Sequence, residues 1–146
     1  MAVGSGQFAI NSKNLINIIK MQFTSLMSDF RDLEVYKQSY KLAMEIFNLS
    51  KRFPKEERYS LTDQMRRSSR SVTANISESY RKRRYPKHFI SKLSDSDAEL
   101  AETITWLDFS KDCECITTEE HQYFINEYEE AGKMLAMINK PQRFII

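Results

Sequence analysis

The chain has 146 residues, 41% apolar and 29% charged, with 22 Lys+Arg against 20 Asp+Glu and only three Gly, three Pro and two Cys. That length and balance fit one soluble globular domain and exclude a disordered, fibrous or disulfide-stapled chain. So few turn-forming residues also exclude a loop-rich barrel or sandwich, and point to long helices with few connections.

Residues 1–28 read as an N-terminal extension, flexible or a short docking helix, ahead of a single domain at 29–146. Leu15–Phe23 is apolar, but Asn17 and Lys20 interrupt it and no small-residue cleavage site follows, so it is not a signal peptide. No run of about 20 apolar residues exists to cross a membrane.

From Asp32 the apolar positions take a helical period. Leu33, Tyr36, Tyr40, Ala43 and Phe47 form the expected stripe of the first helix, widened by Val35, Leu42, Ile46, Leu49 and Phe53. Phe53-Pro54 ends it. Ser60 or Thr62 is the expected cap of the second helix, whose stripe is Leu61, Met65, Ser68/Ser69, Val72 and Ile76. The third helix is predicted to start at Pro86 and to bury Ile90, Leu93, Asp97, Leu100, Ile104 and Leu107, Asp97 being the one acid in that seam. Thr117 and Glu120 form a capping box for the fourth helix, which carries Tyr123/Phe124, Tyr128, Ala131, Leu135 and Ile138 and ends at Asn139–Pro141. Gly132 inside it suggests a close helix contact. Four helices with short connections read as an all-α, up-down four-helix bundle. Asn75 and Asp97 are the polar groups placed to fix register in its seams.

The net charge of +2 hides a strong asymmetry. Residues 64–92 hold nine basic side chains against one acid, Glu78, whereas residues 93–130 hold twelve acids against Lys111. Six of those nine basic residues are Arg, whose guanidinium fork matches phosphate geometry. At about 100° per residue, Arg66, Arg70, Ser77, Arg81 and Arg84 share one side of a second helix that runs that far. Together with Arg67, Lys82, Arg83 and Lys87 they form a candidate phosphate-binding stripe, and Tyr80 and Tyr85 are candidate stacking platforms for bases. The other reading is that this basic face packs on the acidic third helix of a neighbour.

Rival chemistries find less support. Asp95-x-Asp97-x-Glu99 opens like a calcium loop but has Leu100 and Trp106 where Gly and a bidentate Glu are needed. Cys113-x-Cys115 with His121 is at most half a metal site. Glu78, Glu99 and Glu102 read as partners of arginines rather than as acid/base catalysts. Neither His88 nor His121 lies in a nucleophile motif, and no glycine-rich phosphate loop exists, so the chain reads as no enzyme and needs no cofactor.

Several segments carry a family resemblance: Phe30–Tyr36 (FRDLEVY), Phe53–Ser68 (FPKEERYSLTDQMRRS), Ser71–Tyr80 (SVTANISESY), Asp95–Phe109 and Tyr128–Leu135. In order and spacing they resemble the four-helix-bundle proteins encoded in intervening sequences of 23S rRNA genes, over about residues 30–144. The family is similar in fold to the accessory protein of diversity-generating retroelements, a basic pentameric barrel thought to bind nucleic acid and a reverse transcriptase. The resemblance implies a bacterial cytoplasmic protein, a left-handed bundle and a ring-like homopentamer, and no agreed activity. The family's Asn-Ile-Ala-Glu-Gly pattern stands here as Asn75-Ile76-Ser77-Glu78-Ser79, so the helix stop expected from Gly at 79 is lost and the second helix could extend through the arginine run.

Taken together, the sequence leads to a non-enzymatic homo-oligomer that binds RNA or DNA through Arg66, Arg67, Arg70, Arg81, Lys82, Arg83, Arg84 and Lys87, with a protein-interaction scaffold as the alternative.

Overall fold

A computed structural model describes residues 29–139. The extension at 1–28, its Leu15–Phe23 segment and Pro141 lie outside the described residues. Four α-helices follow one another, α1 (Glu34–Ser50), α2 (Asp63–Arg81), α3 (Pro86–Asp112) and α4 (Thr118–Asn139), with no strand among the described residues. Short 3₁₀ turns at Phe30–Asp32 and Lys55–Glu57 and a π-helical turn at Arg58–Thr62 complete the chain.

Side-chain bonds fix the directions. Between α1 and α2, Ser39 pairs with Thr73 and Ser50 with Arg66. Between α2 and α3, Val72 pairs with Ser96, Ser68 with Thr103 and Met65 with Ser110. Between α1 and α4, Gln38 pairs with Glu127 and Glu45 with Tyr123. In each pair one number rises as the other falls, so neighbours are antiparallel and α4 closes the ring against α1. This is the up-down four-helix bundle expected from the short connections.

The core is the set of residues at the bundle axis, with Leu42, Ile46, Met65, Val72, Ile76, Leu107 and Tyr128 at 0% exposure. Burying one such aliphatic side chain stabilises the fold by about 1.5–3 kcal/mol. The α1 stripe is rotated from the expected one. Val35, Ser39, Leu42, Ala43 and Ile46 are inside, whereas Tyr40 is 55% exposed and Tyr36 and Phe47 are half-buried. Val35, Leu42 and Ile46 fill the inner side of α1, and the rings of Tyr36, Tyr40 and Phe47 lie at its margin.

The α3 seam is also corrected. Leu93, Ser96, Leu100, Thr103, Leu107 and Ser110 are buried in steps of three and four, while Asp97 is exposed and Ile90 and Ile104 are half-buried. Small hydroxyl residues can enter because each satisfies its own proton. Thr103 reaches the Glu99 carbonyl at 2.9 Å and Ser110 the Trp106 carbonyl at 2.7 Å. They also bridge the helices, with Ser96 Oγ donating to the Val72 carbonyl at 2.8 Å and Thr103 Oγ1 lying 2.8 Å from Ser68 Oγ. A buried carboxylate can only accept, finds no free donor inside its helix and would need a cation. Asn75, likewise, is only half-buried and bonds the Ser71 carbonyl at 2.9 Å and Lys92 at 3.4 Å.

The helix ends follow local chemistry. Pro86 opens α3 as expected, and the Thr117–Glu120 box caps α4, with Glu120 N donating to Thr117 Oγ1 at 3.1 Å and Thr117 N to Glu120 Oε1 at 2.9 Å. Neither Ser60 nor Thr62 caps α2. No side chain caps Asp63; the Glu57 carboxylate instead caps the preceding π-helical turn, accepting from Ser60 Oγ at 2.7 Å and from Leu61 N at 3.4 Å. Gly132 marks no unusually close approach, since a Cβ there would meet Leu100 at 3.9 Å, an ordinary contact. The α3 C-terminus is a Schellman motif: Cys115 N donates to Ser110 O at 2.8 Å and Glu114 N to Lys111 O at 3.0 Å, with Glu114 at φ 59°.

Candidate nucleic-acid interface

α2 passes Ser79, as the missing glycine led one to expect, but it stops at Arg81 rather than running to Arg84. Pro86 explains this. Tyr85 before it must be extended, and is so at φ −115° and ψ 93°, so the chain has to reverse over residues 82–85. Lys82, Arg83, Arg84 and Lys87 therefore sit at the α2–α3 junction and not on the helical stripe.

The nine basic residues then separate by environment. Arg67 faces α3 and is engaged by its acids, with Glu102 at 2.5 Å and Glu99 at 3.3 Å. These two carboxylates raise the Arg67 pKa. Lys92 is held by Glu78 at 2.7 Å and Asp95 at 3.7 Å, and the Glu78 bond is the first cause of its raised pKa. Arg83 folds back, donating to the Tyr80 carbonyl at 2.9 Å with its guanidinium 4.1 Å above the Tyr80 ring, and so finishes the end of α2.

Arg66 and Arg70 face α1 instead. Arg66 Nε donates to Ser50 Oγ at 2.8 Å, and the guanidinium groups of Arg66 and Arg70 lie 4.7 and 5.7 Å from the centre of the Phe47 ring. Lys51 Nζ lies 4.7 Å from the same ring. Cation–π attraction gathers the three charges there. Arg81 lies 5.8 Å from the Phe30 ring. It also helps to hold the Asp29 carboxyl below its usual range, behind the stronger effect of Arg31. Among the described residues, Arg66, Arg70, Arg81, Lys82, Arg84 and Lys87 have no carboxylate within ion-pair distance.

One expected stacking platform is removed. Tyr80 is 4% exposed and belongs to the core, 6.4 Å from Phe30. Its position four residues after Ile76 continues the apolar stripe, a signal that was present in the spacing. Tyr85 is 64% exposed, edge-on to His88 at 6.0 Å, and keeps its ring open. Phe47, Tyr36 and Tyr40 carry the opposite lesson: they read as core and instead border the basic side of α2.

The other clusters are dispersed. Asp95, Asp97 and Glu99 lie on a continuous helix, which cannot wrap a calcium ion. Cys113 and Cys115 are free thiols, and His121 turns to Asp108 at 2.7 Å. No group of three or more His, Cys, Asp or Glu is placed to hold a metal ion among the described residues. No helix among them is long and apolar enough to cross a membrane.

Comparison with known proteins agrees with this architecture. The family described as 23S rRNA-intervening sequence protein matches residues 31–137. A crystal structure of a protein with unknown function from the S23 ribosomal protein family of Bacteroides thetaiotaomicron is 33% identical, with a TM-score of 0.66 over 73% of this chain and 95% of that one. No curated protein matches the chain. The antiparallel helices and the sequence match over well more than half of the chain agree, and this chain belongs to the 23S rRNA-intervening sequence protein family.

Proposed function

We propose that the chain is a non-enzymatic, cytoplasmic module that binds RNA or DNA at the α2–α3 junction. One observation carries the reading. Arg81, Lys82, Arg84 and Lys87 gather around the turn without an ion-paired carboxylate among the described residues, although α3 is rich in acids. Arg83 alone serves the end of α2. The remaining cations exceed what capping uses, and like charges gathered without acids favour a polyanion.

Four phosphate contacts predict that log K falls with log salt at a slope of about −3.6 on duplex. The test is fluorescence anisotropy with a labelled 20-mer, titrated across salt, on the wild type and on Lys82→Glu/Arg84→Glu. The double reversal should abolish binding. Affinity indifferent to salt, or untouched by the reversal, refutes the reading.

We also propose that the chain works as a homo-oligomer, a ring-like pentamer, as its family resemblance implies. Phe109 is 53% exposed and lies 5.8 Å from Trp106, leaving an aromatic pair on the outer side of α3 that a second subunit would cover. Five copies would multiply a weak basic patch by avidity. Sedimentation mass tests this, and a monomer at micromolar concentration would remove it.

A further inference from the structure

A trough runs between α1 and α2 on the side away from the acidic helix. Its middle is a hollow of about 340 Å³, where Tyr36, Tyr40 and Met44 of α1 face Arg70, Ala74 and Ser77 of α2. Ser77 also borders the next hollow, of about 230 Å³, with Phe30, Arg81 and Lys82. The two hollows adjoin at Ser77. At one end stand Lys51, Arg66 and Arg70 around Phe47, and at the other Arg81 and Lys82 beside Phe30. The middle hollow contains no acid. The single acid of the second hollow, Glu78, is bound to Lys92 at 2.7 Å. Tyr36 and Tyr40 stand one helical turn apart with ring centres 6.1 Å from each other and planes 30° apart.

We propose that this trough binds single-stranded nucleic acid, with bases laid on Tyr36 and Tyr40 and phosphates held by the cations at both ends. The inference rests on the proposed nucleic-acid reading and specifies the form of the ligand. Aromatic rings between cationic ends are what an unpaired strand needs, because its base faces are open. A duplex keeps those faces stacked inside and could offer the trough only its backbone. The eleven helical steps from Arg70 to Arg81 span about 16 Å, room for roughly four or five bases at a stacked rise. An apolar protein segment would fit the rings but gains nothing from cations at both ends.

The experiment compares 12-mers of oligo-U and oligo-dT with a duplex of equal length, by anisotropy at one salt concentration. Wild type should prefer the single strands, and a difference between U and dT assigns the ligand to RNA or DNA. Tyr40→Ala removes an exposed ring, and should weaken single-strand binding roughly tenfold while leaving the duplex within about twofold. Tyr40→Phe should restore the single-strand affinity. Equal loss on both ligands, or loss on neither, overturns the trough. So does a change in sedimentation mass with unchanged single-strand affinity, which would make it a subunit interface. In these cases salt-dependent duplex binding that is lost in Lys82→Glu/Arg84→Glu leaves the junction reading standing, whereas no binding of any ligand by wild type removes both.

Discussion

Arg67 of α2 donates to Glu102 of α3 across 2.5 Å, one helical turn from a second contact to Glu99. This is where the basic and acidic blocks of the sequence meet inside one chain. Arg67 is half exposed and Glu102 about a third exposed, at 50% and 32%, so water screens the pair and its contribution is about 0.5 kcal/mol.

The pH dependence of that contribution has a definite sign. The Glu102 carboxyl is held below its usual value, first by the Arg67 hydrogen bond. A lowered acid stabilises the fold above its unfolded-state pKa and loses that effect as pH falls through the folded value. Glu102→Gln should therefore be slightly less stable than wild type at neutral pH, with the gap closing in acid below about pH 4. Urea melts across pH check this, and a gap that persists in acid would assign the loss to packing.

The α2–α3 seam makes a sharper prediction. Ser68 and Thr103 are both fully buried, and their hydroxyls meet at 2.8 Å. Ser68→Ala and Thr103→Val should each cost about 1 kcal/mol, because each removes the buried bond between the helices while the remaining hydroxyl keeps a carbonyl of its own helix. The double variant should cost less than the sum by about 0.5–1.5 kcal/mol. Strict additivity in a denaturation cycle would show that the contact carries no coupling.

Tyr128 is fully buried, and its hydroxyl has no hydrogen-bond partner among the described residues. Burial first, and then the charge of Glu45, push its pKa far up. Tyr128→Phe removes an unpaid desolvation and keeps the ring, so stability should rise by about 0.5–1 kcal/mol. Calorimetry should show a higher Tm, and a fall would mean that the hydroxyl is satisfied in solution.

Glu114 occupies the left-handed position of the α3 Schellman motif at φ 59°, where a Cβ is unfavourable. Glu114→Gly should stabilise the chain by about 1 kcal/mol, with unchanged circular dichroism. A destabilised variant would mean that the freedom gained by the unfolded chain outweighs the strain released.

Sequence periodicity was enough for the helices, their order and most of their ends, because the 3.6-residue repeat, Pro86 and the Thr117–Glu120 box all act locally. It was also enough to place the cations next to one another along the chain. It misjudged which polar groups enter the core. Ser96, Thr103 and Ser110 are inside and Asp97 outside, since a serine or threonine hydroxyl can donate to a backbone carbonyl of its own or the neighbouring helix and a carboxylate cannot. It also misjudged the rings, reading Tyr40 and Phe47 as core and Tyr80 as surface, while Tyr36 packs against the core with only part of its ring. Depth within an amphipathic stripe depends on how closely the neighbouring helix approaches, which no local pattern encodes.

By itself, then, the sequence determined an all-α bundle, its family and a chain divided into a basic and an acidic block. Only the tertiary structure decided which charges cancel. Arg67 and Lys92 reach carboxylates because their side of α2 and the start of α3 turn toward acids. Arg66 and Arg70 point across α1, and the turn imposed by Pro86 holds Lys82, Arg84 and Lys87 away from acids. The physical reason is range: helix formation is settled within a few residues, whereas ion pairing between helices is settled by packing that brings together residues more than thirty positions apart, as with Arg67 and Glu102.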